Sequence, residues 1–243
     1  MLVVFTVMRE RALEAVVFDL DGTLIQSKID YPEMRRRVME LLVSIGVKQE
    51  ELSQTRRLWE IIRGGEKILR DLGLPPNDIR YILKKITEAM NAVELEGIDN
   101  VEPTRHVHEA LEKIRRKGLK IGVATRSCNA YATKCIEKVK IGKYIDFMLA
   151  RDDVEHPKPD PRHLKQVVKA LNVPLDRIIF VGDTATDIRT AERAKVPFIG
   201  YLRNEDYGRR LIEAECKVYV DDLRKIIDLI EGELFTDEDT VYY

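Results

Sequence analysis

The sequence predicts an α/β protein: a doubly wound parallel sheet, with a smaller all-helical unit inserted after its first strand. Three observations predict it. Short apolar runs alternate with amphipathic stretches from Pro103 onwards, residues 25–98 carry helical apolar spacing with few strand-like runs, and polar residues gather where the apolar runs stop.

The elements follow in order. Ala15-Val16-Val17-Phe18 has no polar alternation, as expected of a strand covered on both faces, and it runs into Asp19-Leu20-Asp21-Gly22-Thr23. Residues 31–45, 50–62, 66–72 and 77–94 then read as helices; Pro32 suits a first turn, and Gly46, Gly73 and Pro75 mark ends. The adjacent glycines of Arg63-Gly64-Gly65-Glu66-Lys67 are expected to break two of these helices with an interhelical turn. Beyond Pro103, helices at 104–117, 129–139, 161–171 and 185–195 alternate with strands at 119–124, 145–149, 178–181 and 197–201. A short helix near 208–214, a strand at 217–220 and a helix at 222–230 complete the pattern. The expected division is a core of 1–24 and 99–243 with a helical insert of 25–98.

A chain of 243 residues is long enough for one substantial core and a smaller satellite. The 41 Lys+Arg nearly cancel 42 Asp+Glu, so no global field advertises a nucleic acid or an anionic membrane, although the charged fraction of 34 % is high. Cys128, Cys135 and Cys216 fit neither a disulfide framework nor a close-spaced zinc site, and an odd count suits the reducing cytoplasm. Residues 1–8 are apolar but lack a charged leader and a cleavage site; they read as a first strand or an artefact of start-site choice. No apolar run approaches the ~20 residues of a membrane helix, so a soluble protein is expected. Asp237-Glu238-Asp239 lies in a short acidic tail.

Four strand ends carry unusual chemistry: Asp19 and Asp21, then Thr125, then Lys158, then Asp183 with Asp187. Ligands of such sheets bind beyond the carboxyl ends of the strands. Asp19 and Asp21 stand two apart, so on an extended backbone both leave one face while Leu20 turns to the core. Asp183 and Asp187 share a face one helical turn apart. Crowded carboxylates repel unless a cation sits among them, and an all-oxygen set without His or Cys points to Mg²⁺ rather than zinc. Taken singly, Asp183 reads as a helix cap, Thr125 as a strand end and Lys158 as a loop lysine. A calcium loop of the EF-hand type is excluded, because its sixth position is Leu24 rather than Gly.

In order and spacing, Asp19-Leu20-Asp21-Gly22-Thr23-Leu24, Thr125, Lys158-Pro159 and Gly182-Asp183-Thr184-Ala185-Thr186-Asp187 resemble the four motifs of the haloacid dehalogenase superfamily. The resemblance spans residues 16–201 and is specific in its first and fourth motifs. It accounts for the insert as a helical cap of the phosphoglycolate phosphatase and β-phosphoglucomutase type. It departs at Thr125-Arg126-Ser127, where many relatives have Asn after the Thr.

The resemblance implies a Mg²⁺-dependent phosphatase of a small phosphorylated metabolite, phosphoglycolate-like or a sugar phosphate, working as a monomer or homodimer. Asp19 would be the nucleophile and Asp21 the acid and base. Thr125 and Lys158 would hold the phosphoryl group, with Arg126 beside them. The cation would be held by Asp19, Asp183, Asp187 and the backbone carbonyl of Asp21. Arg63 and Lys67 of the insert are the candidate contacts to the rest of the substrate. A phosphomutase would keep the same residues. A phosphonate hydrolase would add an insert lysine such as Lys28, Lys48, Lys67, Lys84 or Lys85, and dehalogenation does not use the second Asp. A non-catalytic binding module would have lost Asp19 or Asp21.

Overall fold

Ala15, Val16, Val17 and Phe18 are all buried and form the central strand of the sheet in the computed structural model, which describes residues 13–52 and 58–231. The apolar start at 1–8 and the acidic tail at 237–239 lie outside the described residues. In chain order the described strands are β1 (Ala15–Phe18), β2 (Ile25–Gln26), β3 (Glu102–Pro103), β4 (Lys120–Ala124), β5 (Phe147–Leu149), β6 (Ile178–Gly182), β7 (Phe198–Tyr201) and β8 (Tyr219–Val220). Six of them form one parallel sheet in the order β5-β4-β1-β6-β7-β8. The order reverses between β1 and β6, which makes their carboxyl ends the switch point where a crevice opens. The register aligns Phe18 with both Val123 and Val181, so Asp19, Thr125 and Asp183 leave the sheet at nearly the same level.

The sheet is covered because its strands are apolar on both faces. On one face Ala15, Val17, Ile178 and Phe180 pack with Leu164, Val167, Val168 and Leu171 of α7 (Pro161–Leu171) and with Ala191 and Ala194 of α8 (Ala185–Ala194). α5 (Val107–Arg116) packs on β4 and against α10 (Lys225–Glu231); α6 (Asn129–Lys138) follows β4, and α9 (Glu205–Glu213) follows β7. The chain divides into two compact units, one holding the residues up to Ser27 and from Val101 on, the other Lys28–Asn100. The first boundary falls three residues beyond the expected one, because β2 pairs antiparallel with β3, and two-residue strands leave no periodicity to read. Among the described residues no helix is long and apolar enough to cross a membrane.

Among the described residues the inserted unit holds α1 (Tyr31–Ser44), the short α2 (Gln49–Leu52), α3 (Leu58–Asp71), α4 (Pro76–Glu96) and a 3-10 turn at Ile98–Asn100. Asp30 caps α1 by accepting from Glu33 N–H at 2.9 Å, with Pro32 in the first turn. The expected turn at Gly64-Gly65 is corrected: α3 runs through both glycines without a break. The reason is packing. Gly65 is buried, and a Cβ there would lie 2.7 Å from Leu42 Cδ2 of α1, so its missing side chain admits a neighbouring helix. Residues 53–57 of the expected helix at 50–62 lie outside the described residues.

Candidate active site

The end of β1 hands its chain directly to chemistry. Asp19 N–H still donates to Val181 O at 2.8 Å, as if the strand continued, and Asp19 is buried at the strand's end, 7 % exposed. Gly22 turns the chain at φ +83°, a conformation open to glycine, and a Cβ on it would meet Asp183 Oδ2 at 2.2 Å. Asp183 follows β6, and Asp187 sits in the first turn of α8. One oxygen each of Asp19, Asp183 and Asp187 lies within 4.8 Å of the others, and all three residues are buried.

Lys158 is the counter-charge. Its Nζ donates to Asp19 Oδ1 and to Asp187 Oδ1, both at 2.6 Å, with the side chain 1 % exposed. Asp187 Oδ2 accepts from Thr184 N–H at 3.2 Å and Thr184 Oγ1 at 2.5 Å, so this carboxylate fixes both the start of α8 and Lys158. His163 holds the Lys158 loop from behind: its Nδ1 accepts Lys158 N–H at 3.2 Å and its Nε2 donates to Leu149 O at 3.0 Å. Burial, and then the nearby Lys158 charge, push the His163 imidazole down to about 4, so it is neutral in this role.

Three carboxylates have two cations beside them, the Lys158 ammonium and the Arg203 guanidinium, and the protonation behaviour follows. Burial pushes the Asp19 carboxyl up to about 7, opposed by Lys158 and reinforced by Asp187 and Asp21. Burial, then Asp19 and Asp187, hold Asp183 well above the usual carboxylate range, with Arg203 and Lys158 opposing. Lys158, which burial alone would lower, is held above its ordinary value by Asp187 and Asp19. Burial raises the two carboxyls and the anionic neighbours raise the lysine, so all three shifts favour the protonated form of a cluster short of positive charge. Asp183 makes the shortage concrete: both of its oxygens are buried and accept no hydrogen bond from any described residue, and its ion pair with Arg203 Nε is 3.4 Å long. Oxygen-only donors, excess negative charge and an unsatisfied buried carboxylate together fit a hard divalent cation.

Asp21 faces another way. Its Oδ2 accepts from Ser127 Oγ at 2.7 Å and its Oδ1 from Tyr131 OH at 3.1 Å. Thr125 is 1 % exposed and its Oγ1 accepts Ser127 N–H at 3.0 Å, which leaves the Thr125 hydroxyl proton to point elsewhere. The structure thus brings Asp19, Asp21, Thr125, Lys158, Asp183 and Asp187 to one end of the sheet. Arg126 is exposed, and its carbonyl accepts from Arg151 Nη1 at 2.7 Å. Arg63 and Lys67 lie on the exposed side of α3 in the other unit, with the Arg63 guanidinium 5.9 Å from the Trp59 ring centroid. Sequence reasoning missed Ser127, Tyr131, His163, Thr184 and Arg203. Signals existed for some of them: Tyr131 is one helical turn after Ser127, and Arg203 stands two residues beyond the end of β7.

Comparison with known proteins supplies the remaining observations. Residues 16–201 match the family model described as haloacid dehalogenase-like hydrolase. A phosphoglycolate phosphatase of Pseudomonas fluorescens (strain Pf0-1) is 29 % identical over 220 residues, covering 87 % of this chain and 78 % of that protein. One from Salmonella paratyphi A is 27 % identical over 235 residues, covering 88 % and 91 %. Among solved structures, a predicted phosphoglycolate phosphatase of Haemophilus somnus superposes with a TM-score of 0.61 at 18 % identity, covering 89 % of this chain and 97 % of that one. A subfamily IA hydrolase of Geobacter sulfurreducens gives 0.55 at 20 %, covering 90 % and 100 %. At these identities the structural likeness speaks for the fold.

Proposed function

The chain belongs to the haloacid dehalogenase-like hydrolase family, and on that premise we propose that it is a magnesium-dependent phosphatase hydrolysing a small phosphate monoester through an aspartyl phosphate on Asp19. The carrying observation is the buried cluster of Asp19, Asp183 and Asp187 around Lys158, with the Asp183 carboxylate left unsatisfied. The relatives of 29 % and 27 % identity are phosphoglycolate phosphatases, which supports a short phosphorylated acid such as 2-phosphoglycolate as the substrate class.

In the first step an Asp19 carboxylate oxygen bonds to phosphorus as the ester P–O bond breaks. The electron pair stays on the leaving oxygen, which takes a proton from Asp21 and departs as the alcohol. In the second step a water oxygen bonds to phosphorus while Asp21 accepts the water proton; the P–O bond to Asp19 breaks, returning the Asp19 carboxylate and inorganic phosphate. Lys158 neutralises charge on the phosphoryl oxygens and holds the Asp19 rotamer, and the free Thr125 hydroxyl proton donates to one of those oxygens. Asp183 and Asp19, with the Asp21 carbonyl and Asp187 beside them, are the residues that would hold Mg²⁺. When bound, it screens the repulsion between an anionic nucleophile and a phosphate dianion. A cytoplasmic site of action is supported by three free cysteines.

The test is a phosphate-release assay on the purified chain with a panel of phosphorylated metabolites including 2-phosphoglycolate, after EDTA treatment and again with MgCl₂. Turnover of at least one small ester that needs Mg²⁺ is expected. Failure to release phosphate from any ester in the presence of Mg²⁺ would overturn the reading.

A further inference from the structure

The general acid and base of a two-step transfer must present one carboxyl to two different oxygens, first the leaving group and then water. Such a group works best from a single rotamer, since a misplacement of about 1 Å costs on the order of 100-fold in rate. Asp21 is only partly buried, yet two hydroxyls grip it, one on each oxygen: Ser127 Oγ at 2.7 Å and Tyr131 OH at 3.1 Å. Neither donor is a passing surface contact. Tyr131 is fully buried and Ser127 is 5 % exposed.

Both donors are themselves fixed. Ser127 N–H is spent on Thr125 Oγ1, so one residue ties the phosphate-binding hydroxyl to the acid and base. Tyr131 stands in the first turn of α6, one turn beyond Ser127, with the buried Cys135 one turn further along the same helix. The choice of hydroxyls has a chemical sense. An arginine or lysine partner would favour only the carboxylate, whereas a hydroxyl donates to a carboxylate and accepts from a carboxylic acid with no movement of heavy atoms.

We propose that Ser127 and Tyr131 are positioning residues that lock Asp21 in the rotamer from which it protonates the leaving group. This inference rests on the phosphatase reading given above. A merely structural role for the pair would depress every substrate alike; a role through Asp21 depends on how much the leaving oxygen needs a proton.

The experiment compares kcat/KM for 2-phosphoglycolate and for p-nitrophenyl phosphate in wild type, Ser127→Ala, Tyr131→Phe and Asp21→Asn, with folding checked by circular dichroism. For the alkyl ester, each hydroxyl deletion is expected to lower kcat/KM by roughly 10- to 100-fold. For the aryl ester, whose phenolate leaves unprotonated, the fall should stay below about 3-fold. Ser127→Thr should restore the alkyl activity, and adding Tyr131→Phe to Asp21→Asn should cost nothing further. If Tyr131→Phe does not fold, the serine series alone decides. Equal falls on both esters, no fall on either, or a further loss in the Asp21→Asn background would overturn the inference while leaving the phosphatase reading intact. A wild-type chain that releases phosphate from neither of these esters nor from any other in the panel overturns both.

Discussion

Replacing Asp183 by Asn should make the metal-free protein more stable while removing its response to magnesium. The Asp183 carboxylate is buried with both oxygens lacking a hydrogen-bond donor among the described residues, beside Asp19 and Asp187. At an effective dielectric constant of about 20, two like charges no further than 4.8 Å away each repel it by about 3.5 kcal/mol or more, and Arg203 at 3.4 Å returns about 5 kcal/mol. The balance is roughly 2 kcal/mol unfavourable, before a desolvation penalty of about 1–3 kcal/mol and a partly compensating pull from Lys158. The neutral isostere should therefore gain about 2 kcal/mol in EDTA, which for a chain of this size raises Tm by roughly 4–8 °C. Saturating Mg²⁺ reverses the ranking, because a ligand at 100 times its Kd adds about 2.7 kcal/mol to the wild type and little to a variant that has lost a ligand. Differential scanning fluorimetry with EDTA and with MgCl₂ reads both effects. A variant less stable than wild type in EDTA, or one that keeps the full Mg²⁺ shift, refutes the assignment of Asp183 as a strained cation ligand.

Asp19→Asn should reduce turnover to background with an unchanged circular dichroism spectrum; substantial activity in a clean preparation would remove the covalent mechanism. Gly64→Ala should stabilise the protein by about 1 kcal/mol, since nothing lies within 4 Å of the new Cβ and helix propensity improves. Gly65→Ala gains the same propensity but forces Leu42, so overpacking of about 1–3 kcal/mol should leave it the less stable of the two by urea unfolding; equal stabilisation would mean that α1 and α3 do not touch there. His163 has a folded-state pKa depressed to about 4 from 6.5, so its contribution is present above 6.5 and is lost as pH falls towards 4. Between about pH 7 and pH 5 this group alone should cost wild type about 2 kcal/mol, and His163→Gln should flatten the acid slope of Tm by that amount. An unchanged slope would show that the buried imidazole does not titrate on unfolding.

The parallel sheet and its four chemical strand ends were legible because strand identity lies in local composition: Ala15 to Phe18 and Ile178 to Val181 are apolar throughout and stop at Asp19 and Gly182-Asp183. The insert's helices showed through their 3.6-residue spacing. Gly64-Gly65 misled because a glycine pair in sequence signals a turn, whereas Gly65 serves a contact with Leu42 more than twenty residues away. Ser127 and Tyr131 were hidden for a related reason. A serine and a tyrosine carry no spacing rule of their own, and their meaning lies in meeting Asp21, more than a hundred positions earlier. His163 looked like part of an amphipathic helix, and only the fold shows its ring bridging the Lys158 loop to β5.

The pairing of β1 with β4 and β6 bears on how the molecule comes into being. Ala15 finds its partners in Lys120 and Ile178, so this strand, the earliest among the described residues, is flanked only by strands made long afterwards. Contacts of such long range close slowly, because the entropy of the intervening loops is lost before any pairing repays it. A nascent chain halted short of Ile178 carries its most apolar strand with one edge open, the geometry that invites pairing with another molecule. Asp19, Lys158, Asp183 and Asp187 therefore assemble together late in folding, and a shortened chain should be marked by aggregation rather than by partial activity.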